Sequence, residues 1–255
     1  MIELTFLGTG TSQGVPVIAC ECDVCVSSDP KDKRLRTSAM ISYKGKNLVI
    51  DSGPDFRQQM LREKVLDIDA ILYTHEHKDH VAGMDDVRAF NFKHKKDMPV
   101  YVNKDVEKAL LREFPYVFAD FKYPGIPKVQ VHKIDKNACF RLIGLDITTI
   151  EVMHYKLPVL GFRFGDLTYI TDANFISEEE KEKIRGSKVL VLNALQREAH
   201  ISHFTLQEAL DFIKEINPEK AYLTHVSHRM GTHKEASALL PDNVFFAYDG
   251  MKVSC

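Results

Sequence analysis

The amino-acid sequence predicts an α/β sandwich of two sheets covered by helices, and three observations lead there. Short strand patterns alternate with helix patterns along the chain, both halves are strand-rich, and nothing in the composition cuts the chain apart. The 255 residues, 44% of them hydrophobic, are enough to bury one large core. With no internal repeat, low-complexity tract or Pro/Gly/Ser-rich linker, the expectation is a single domain over residues 1–255.

The opening is β-rich. Residues 2–7 read as a strand, 8–16 as a glycine-rich loop, and 39–43 with 47–51 as a hairpin turning at Lys44-Gly45. Residues 55–64 carry a helical pattern, and Ala70-Ile71-Leu72-Tyr73 is a short apolar strand that stops at a histidine cluster. Helical patterns follow at 81–92 and 104–112, whereas the aromatic, proline-punctuated residues 114–136 match neither period. Strands are expected at 146–152, 159–164, 167–170, 188–192, 221–223 and 244–247. Ser177 with Glu180, and Thr205 with Glu208, have the S/T-x-x-E spacing in which two side chains reciprocally satisfy free N–H groups at a helix start.

Lys+Arg 34 against Asp+Glu 36 leaves a formal net charge of -2, so no global excess draws the molecule to nucleic acid or anionic lipid. The N-terminus lacks signal-peptide features and no apolar run approaches the ~18 residues that span a bilayer. A cytoplasmic protein without membrane or nucleic-acid partners is expected, and a homodimer is compatible with the sequence. Of five cysteines, Cys20, Cys22 and Cys25 crowd into six positions, which suits metal ligation in a reducing compartment better than disulfides; Cys139 and Cys255 stand apart.

His75-Glu76-His77-Lys78-Asp79-His80 concentrates three histidines and one aspartate in six residues. The H-x-H-x-D-H spacing does not match one helix face, where ligands recur at i and i+3 or i+4, but suits a tight loop folded around ions. Imidazole and carboxylate together suit Zn, Mn or Fe. A solvated polar turn is the competing reading. The sequence here resembles the metallo-β-lactamase fold superfamily, an αββα four-layer sandwich. The resemblance implies that His75, His77 and His154 bind one catalytic divalent metal, Zn or Mn, and that Asp79, His80 and His225 bind a second. Asp172, in Thr171-Asp172-Ala173, bridges them. His154, Asp172 and His225 each follow an expected strand.

Cys20-Glu21-Cys22-Asp23-Val24-Cys25 can clasp one zinc with a fourth ligand from elsewhere. With Leu7-Gly8-Thr9-Gly10 and Thr224-His225-Val226-Ser227-His228, it resembles the branch containing the phosphoribosyl cyclic phosphate phosphodiesterases. That branch implies a structural zinc on Cys20, Cys22, Cys25 and His228, and a general acid at His203, with His200 as the other candidate. It also implies a small phosphate-ester substrate; an RNA-processing endonuclease and a non-hydrolytic cofactor-biosynthesis protein of the same fold are the competing functions. His225 and His228 lie three residues apart, so a zinc on the cysteines is expected to restrain the loop that presents His225. Residues 88–136 match no motif of that branch, and substrate choice is expected to differ there. His94, His132 and His233 read as surface residues. Gly8-Thr9-Gly10-Thr11 lacks the G-K-[ST] ending of a nucleotide-binding loop and reads as a tight turn near the metals.

Overall fold

Strands buried on both faces need apolar side chains at successive positions, as in Val189-Leu190-Val191-Leu192. The structure, a computed structural model, describes residues 1–121 and 123–255. Strands β1 (Glu3–Gly8), β2 (Ser38–Tyr43), β3 (Lys46–Ile50), β4 (Ala70–Leu72), β5 (Met98–Val102) and β6 (Val129–Lys133) belong to one sheet. The second is formed by β7 (Cys139–Leu142), β8 (Leu145–His154), β9 (Leu157–Phe164), β10 (Leu167–Tyr169), β11 (Val189–Asn193), β12 (Lys220–Thr224) and β13 (Val244–Phe246). The chain then returns as β14 (Lys252–Ser254) beside β1, giving two seven-stranded sheets ordered β14-β1-β2-β3-β4-β5-β6 and β13-β12-β11-β10-β9-β8-β7. The helices are α1 (Asp23–Val26), α2 (Phe56–Arg62), α3 (Lys78–Val81), α4 (Arg88–His94), α5 (Lys104–Glu113), α6 (Pro115–Phe118), α7 (Glu178–Ile184), α8 (Leu206–Ile216) and α9 (His233–Ser237).

Period-two alternation sorts the side chains into layers. Ala39, Ile41, Leu48 and Ile50 pack between the sheets with Phe162, Phe164, Val191 and Tyr222. Met40 and Val49, on the opposite face of the same strands, pack with Phe56 and Met60 of α2 and Val106 and Leu110 of α5. In the second sheet Leu190 and Leu192 turn outward to Ile184 of α7 and Phe212, Ile213 and Ile216 of α8. Each such side chain contributes about 1.5–3 kcal/mol through burial, so a charge at Leu190 would break the outer layer. The result is the αββα sandwich that the sequence predicts.

Several local expectations change. The helix expected over 81–92 is broken: Gly83 N–H donates to the Ser52 carbonyl (2.8 Å) rather than to its own helix, and a new helix starts at Arg88. Ser177 accepts from Glu180 N–H, but the Glu180 carboxylate accepts from Glu151 N–H of β8 (2.8 Å), so that cap is one-sided. Thr205 and Glu208 make the full reciprocal cap. Strands β5, β6, β7 and β14 lie outside the expected set; Pro99 and the polar residues of β6 hide their alternation, and pairing with neighbours creates them. Lys122, inside the unassigned 114–136, lies outside the described residues. Among the described residues no helix is long and apolar enough to cross a membrane.

Candidate metal centres

Parallel pairing aligns the carboxyl ends of the strands that matter. β3, β4 and β5 run parallel, as do β10, β11 and β12; β8 shares the sense of β10 because both pair antiparallel with β9. His154 ends β8, Asp172 follows β10 by three residues, His225 directly follows β12, and His75 follows β4 by three. The Thr74 carbonyl accepts from Leu160 N–H of β9 (3.0 Å), which joins the two sheets at this rim.

The histidine motif is a loop only in its first half. His77 is the N-cap of α3, and Asp79 and His80 sit on that short helix, where a tight loop was expected throughout. Gly53 makes the approach feasible, since a Cβ there would lie 2.0 Å from the Asp79 carbonyl oxygen. Asp51, Asp172 and His225 have φ of 62°, 54° and 56°, a left-handed conformation that costs about 1–2 kcal/mol for L-residues. Three such residues in one buried cluster are held there by the surrounding structure.

Asp79, His80, Asp172 and His225 each bring one donor atom within 4.8 Å of the others. His225 Nε2 lies 3.2 Å from Asp172 Oδ1, while His80 Nε2 and His75 Nε2 lie 3.6 and 3.8 Å from Asp172 Oδ2. His80 Nε2 is also 3.3 Å from Asp79 Oδ2. Beside this group stand the exposed His77 and half-buried His154, with ring centroids 4.6 Å (His75–His77), 5.2 Å (His77–His154) and 5.8 Å (His75–His154) apart. Donors sharing one small cation at ~2.0–2.2 Å are spaced about 3.4 Å apart in a tetrahedron, so these separations fit. The Nε2 atoms of His75, His80 and His225 are buried and have no hydrogen-bond partner among the described residues. Buried orphan nitrogens converging on a carboxylate are the chemistry of a metal site.

Electrostatics agrees. Burial pushes His75 well below the ordinary imidazole pKa, reinforced by neighbouring His80, and burial lowers His154 as well, so both stay neutral and able to ligate. Burial opposes charge on Asp172 and Asp79, yet the facing imidazoles hold both carboxyls well below the usual range. His80 is also opposed by burial, but Asp79, Asp172 and Asp51 raise it far above the ordinary value, the demand for positive charge that a cation would meet.

Asp51, which the sequence reading missed, orients this cluster. It is fully buried, His80 Nδ1–H donates to its Oδ2 (2.7 Å), and it accepts from the Thr74 N–H and hydroxyl (both 2.8 Å). That bond turns His80 Nε2 towards the cluster, as the Ser202 carbonyl does for His154 by accepting from Nδ1 (2.8 Å). The Asp51-Ser52-Gly53 corner ending a strand was the available signal.

Cys20, Cys22, Cys25 and His228 converge as the resemblance implied. The three sulfurs lie 3.2, 3.5 and 3.5 Å from His228 Nδ1, and all four donors fall within 4.8 Å of one another. A tetrahedral zinc with Zn–S ~2.3 Å and Zn–N ~2.0–2.1 Å sets sulfur and nitrogen about 3.5 Å apart, so the donor set fits. The Cys25 backbone lowers the Cys22 thiol to about 6, whereas burial raises Cys25 to about 11.

His203 stands inside the cluster: its donor lies within 4.8 Å of those of His154 and Asp172, and its ring is 4.7 Å from His225. Burial and His225 lower it to about 2. His200 is exposed, with its ring 5.2 Å from that of His203. The Gly8 loop lies against the site as expected, since Thr9 O accepts from Val226 N–H (2.9 Å) and Thr11 N–H donates to Val226 O (3.2 Å). A cavity of about 240 Å³ opens between His200 and His228, lined also by Thr11, Ser12, Gln196 and Arg229, and no carboxylate lines it. Residues 88–136 reach the motif through Lys78, paired with Glu113, and hold the segment after it through Tyr116, whose hydroxyl donates to Asp85 (2.5 Å). The three histidines read as surface residues are all partly buried: His94 pairs with Asp67 (3.1 Å), His132 stacks on Tyr101 (4.7 Å), and His233 contacts Arg34 (3.2 Å). Tertiary neighbours absent from their local sequence account for the difference.

Residues 46–226 match the model of the beta-lactamase superfamily domain. A crystal structure described as a new diphosphatase from the PhnP family aligns with a TM-score of 0.93 and 39% identity, covering 100% of this chain and 98% of that one. An octanoyltransferase of Porphyromonas gingivalis is 38% identical over 248 residues, which is 96% of this chain but 50% of the relative. The chain thus spans about half the length of that curated relative. A ribonuclease Z of Clostridium kluyveri is 40% identical over 86 residues, 33% of this chain and 23% of that protein.

Proposed function

From the premise that the chain belongs to the beta-lactamase superfamily and, within it, to the PhnP family, we propose that it is a metal-dependent phosphodiesterase of small or cyclic phosphate esters. The observation that carries the reading is the trio of buried, unpartnered Nε2 atoms of His75, His80 and His225 around Asp172. His75, His77 and His154 would hold one divalent cation and Asp79, His80 and His225 a second, with Asp172 facing both ligand sets; Zn or Mn suits these donors. Two such cations, when bound, make hydroxide available at neutral pH and stabilise charge on the attacking and leaving oxygens.

The chain's own residues supply the rest. Asp172 fixes the separation of the two ligand sets, and Asp79 orients the attacking water. The cavity beside His200, holding Arg229 and no carboxylate, favours an anionic ester. His203, beside His154 and Asp172, delivers the proton to the departing alkoxide. Cys20, Cys22, Cys25 and His228 hold a structural zinc.

The test is metal content after purification, followed by assays of Mn- and Zn-loaded protein on aryl phosphodiesters, cyclic phosphates, structured RNA and thioesters. Turnover of the small diesters is expected. Cleavage of RNA alone would replace the reading with a nuclease, and no turnover with both metals bound would remove hydrolysis altogether. His203→Ala should slow esters with poor leaving groups by ~10²-fold or more while sparing activated aryl esters; equal slowing of both would remove the general-acid role.

A further inference from the structure

Arg34 is the buried charge that the proposed chemistry does not use. It is 5% exposed, and among the described residues its guanidinium makes no ion pair. Instead Nη1 donates to the Thr9 hydroxyl (2.8 Å) and to the Ala247 carbonyl (2.6 Å), and Nη2 meets His233 Nδ1 at 3.2 Å. Burial lowers this arginine to about 10, against the pull of the nearby carboxylates of Asp249, Asp32 and Asp29. A cation placed so unfavourably needs a reason in what it holds.

Its two carbonyl-side and hydroxyl-side partners lead to opposite flanks of one residue. Thr9 O accepts from Val226 N–H (2.9 Å), and Ala247 N–H donates to Leu223 O (2.9 Å). Between Leu223 and Val226 lies His225, held at φ 56°. The Thr9 hydroxyl also donates to Asp249 Oδ1 (2.8 Å), whose Oδ2 accepts from Leu35 N–H (2.8 Å) and Arg62 (3.1 Å), so the bracket closes back on the residue after Arg34. Arg34 further exchanges both backbone hydrogen bonds with Val15 (2.8 Å each), at the entrance to the cysteine loop.

We infer that Arg34 is a positioning residue for His225: one guanidinium clamps the two segments that hydrogen-bond the chain on either side of that histidine and so enforces its left-handed backbone. The inference rests on the reading that His225 ligates a catalytic metal. It differs from restraint by zinc, because the clamp acts whether or not the cysteines hold an ion.

Arg34→Met keeps an unbranched apolar stem and removes the donors. Thr9→Val removes the shared hydroxyl and carries the test should the arginine variant not fold. Ile213→Ala, on α8 and in none of the clamp's hydrogen bonds, serves as a control lowered in Tm by packing alone. Divalent-metal affinity by chelator competition and the visible spectrum of Co(II)-loaded protein are read for each, with kcat and KM at saturating metal. Arg34→Met and Thr9→Val should weaken one of the two catalytic metals by about tenfold, shift the cobalt spectrum and lower kcat more than KM, whereas Ile213→Ala keeps wild-type affinity and spectrum. Wild-type affinity and spectrum in both clamp variants, or the same losses in Ile213→Ala, overturn the clamp alone. Wild-type protein that binds no divalent metal outside the cysteines overturns the functional reading and the clamp with it.

Discussion

The cysteine cluster draws three of its four donors from residues 20–25 and keeps Cys22 exposed, whereas the histidine and aspartate cluster gathers its donors from four strand ends and buries His75, His80, Asp172 and His225. The first assembles locally and needs one long-range partner, His228. The second depends on two sheets meeting, and its carboxylates keep their charge only because imidazoles face them. A cluster of the first kind can be shaped by its ion; one of the second kind is shaped by the fold before an ion arrives. His225 and His228, three positions apart, connect the two.

The strongest way to separate the clusters is Asp172→Ala. It removes the carboxylate proposed to serve both catalytic ligand sets, so activity should fall by ~10³-fold or more, while metal analysis should still find zinc at the cysteines. Loss of that zinc as well would show one cooperative unit in place of two. Asp51→Ala should weaken catalytic metal by about 10–100-fold without touching the cysteine cluster; chelator titration measures it, and unchanged affinity would show that His80 is oriented by packing alone. Smallest is the reverse experiment, Cys22→Ser, which should lower Tm and reduce catalytic-metal affinity by less than about tenfold through the shared loop. A variant without structural zinc but with full catalytic metal and activity would break the coupling.

Legibility followed sequence distance. The hairpin over 39–51 and strands such as β9 and β11 were readable because alternation lies within a few residues. The helix over 81–92 was not, because its break depends on Ser52, thirty-one positions before Gly83. Ser177 and Glu180 had the capping spacing, but Glu180 was recruited by Glu151 across the layer. His233 looked polar and exposed until Arg34, 199 positions away, was placed against it.

By itself, then, the sequence determined the layered α/β architecture and the two short donor clusters at 20–25 and 75–80, because periodicity and ligand chemistry are properties of residue type and short spacing. Only the tertiary structure decided that Asp51 aims His80, that His203 joins His154 and Asp172, and that Arg34 brackets His225. Those contacts join residues up to 240 positions apart, as Thr9 and Asp249 show, and no local pattern records a distance that only chain folding closes.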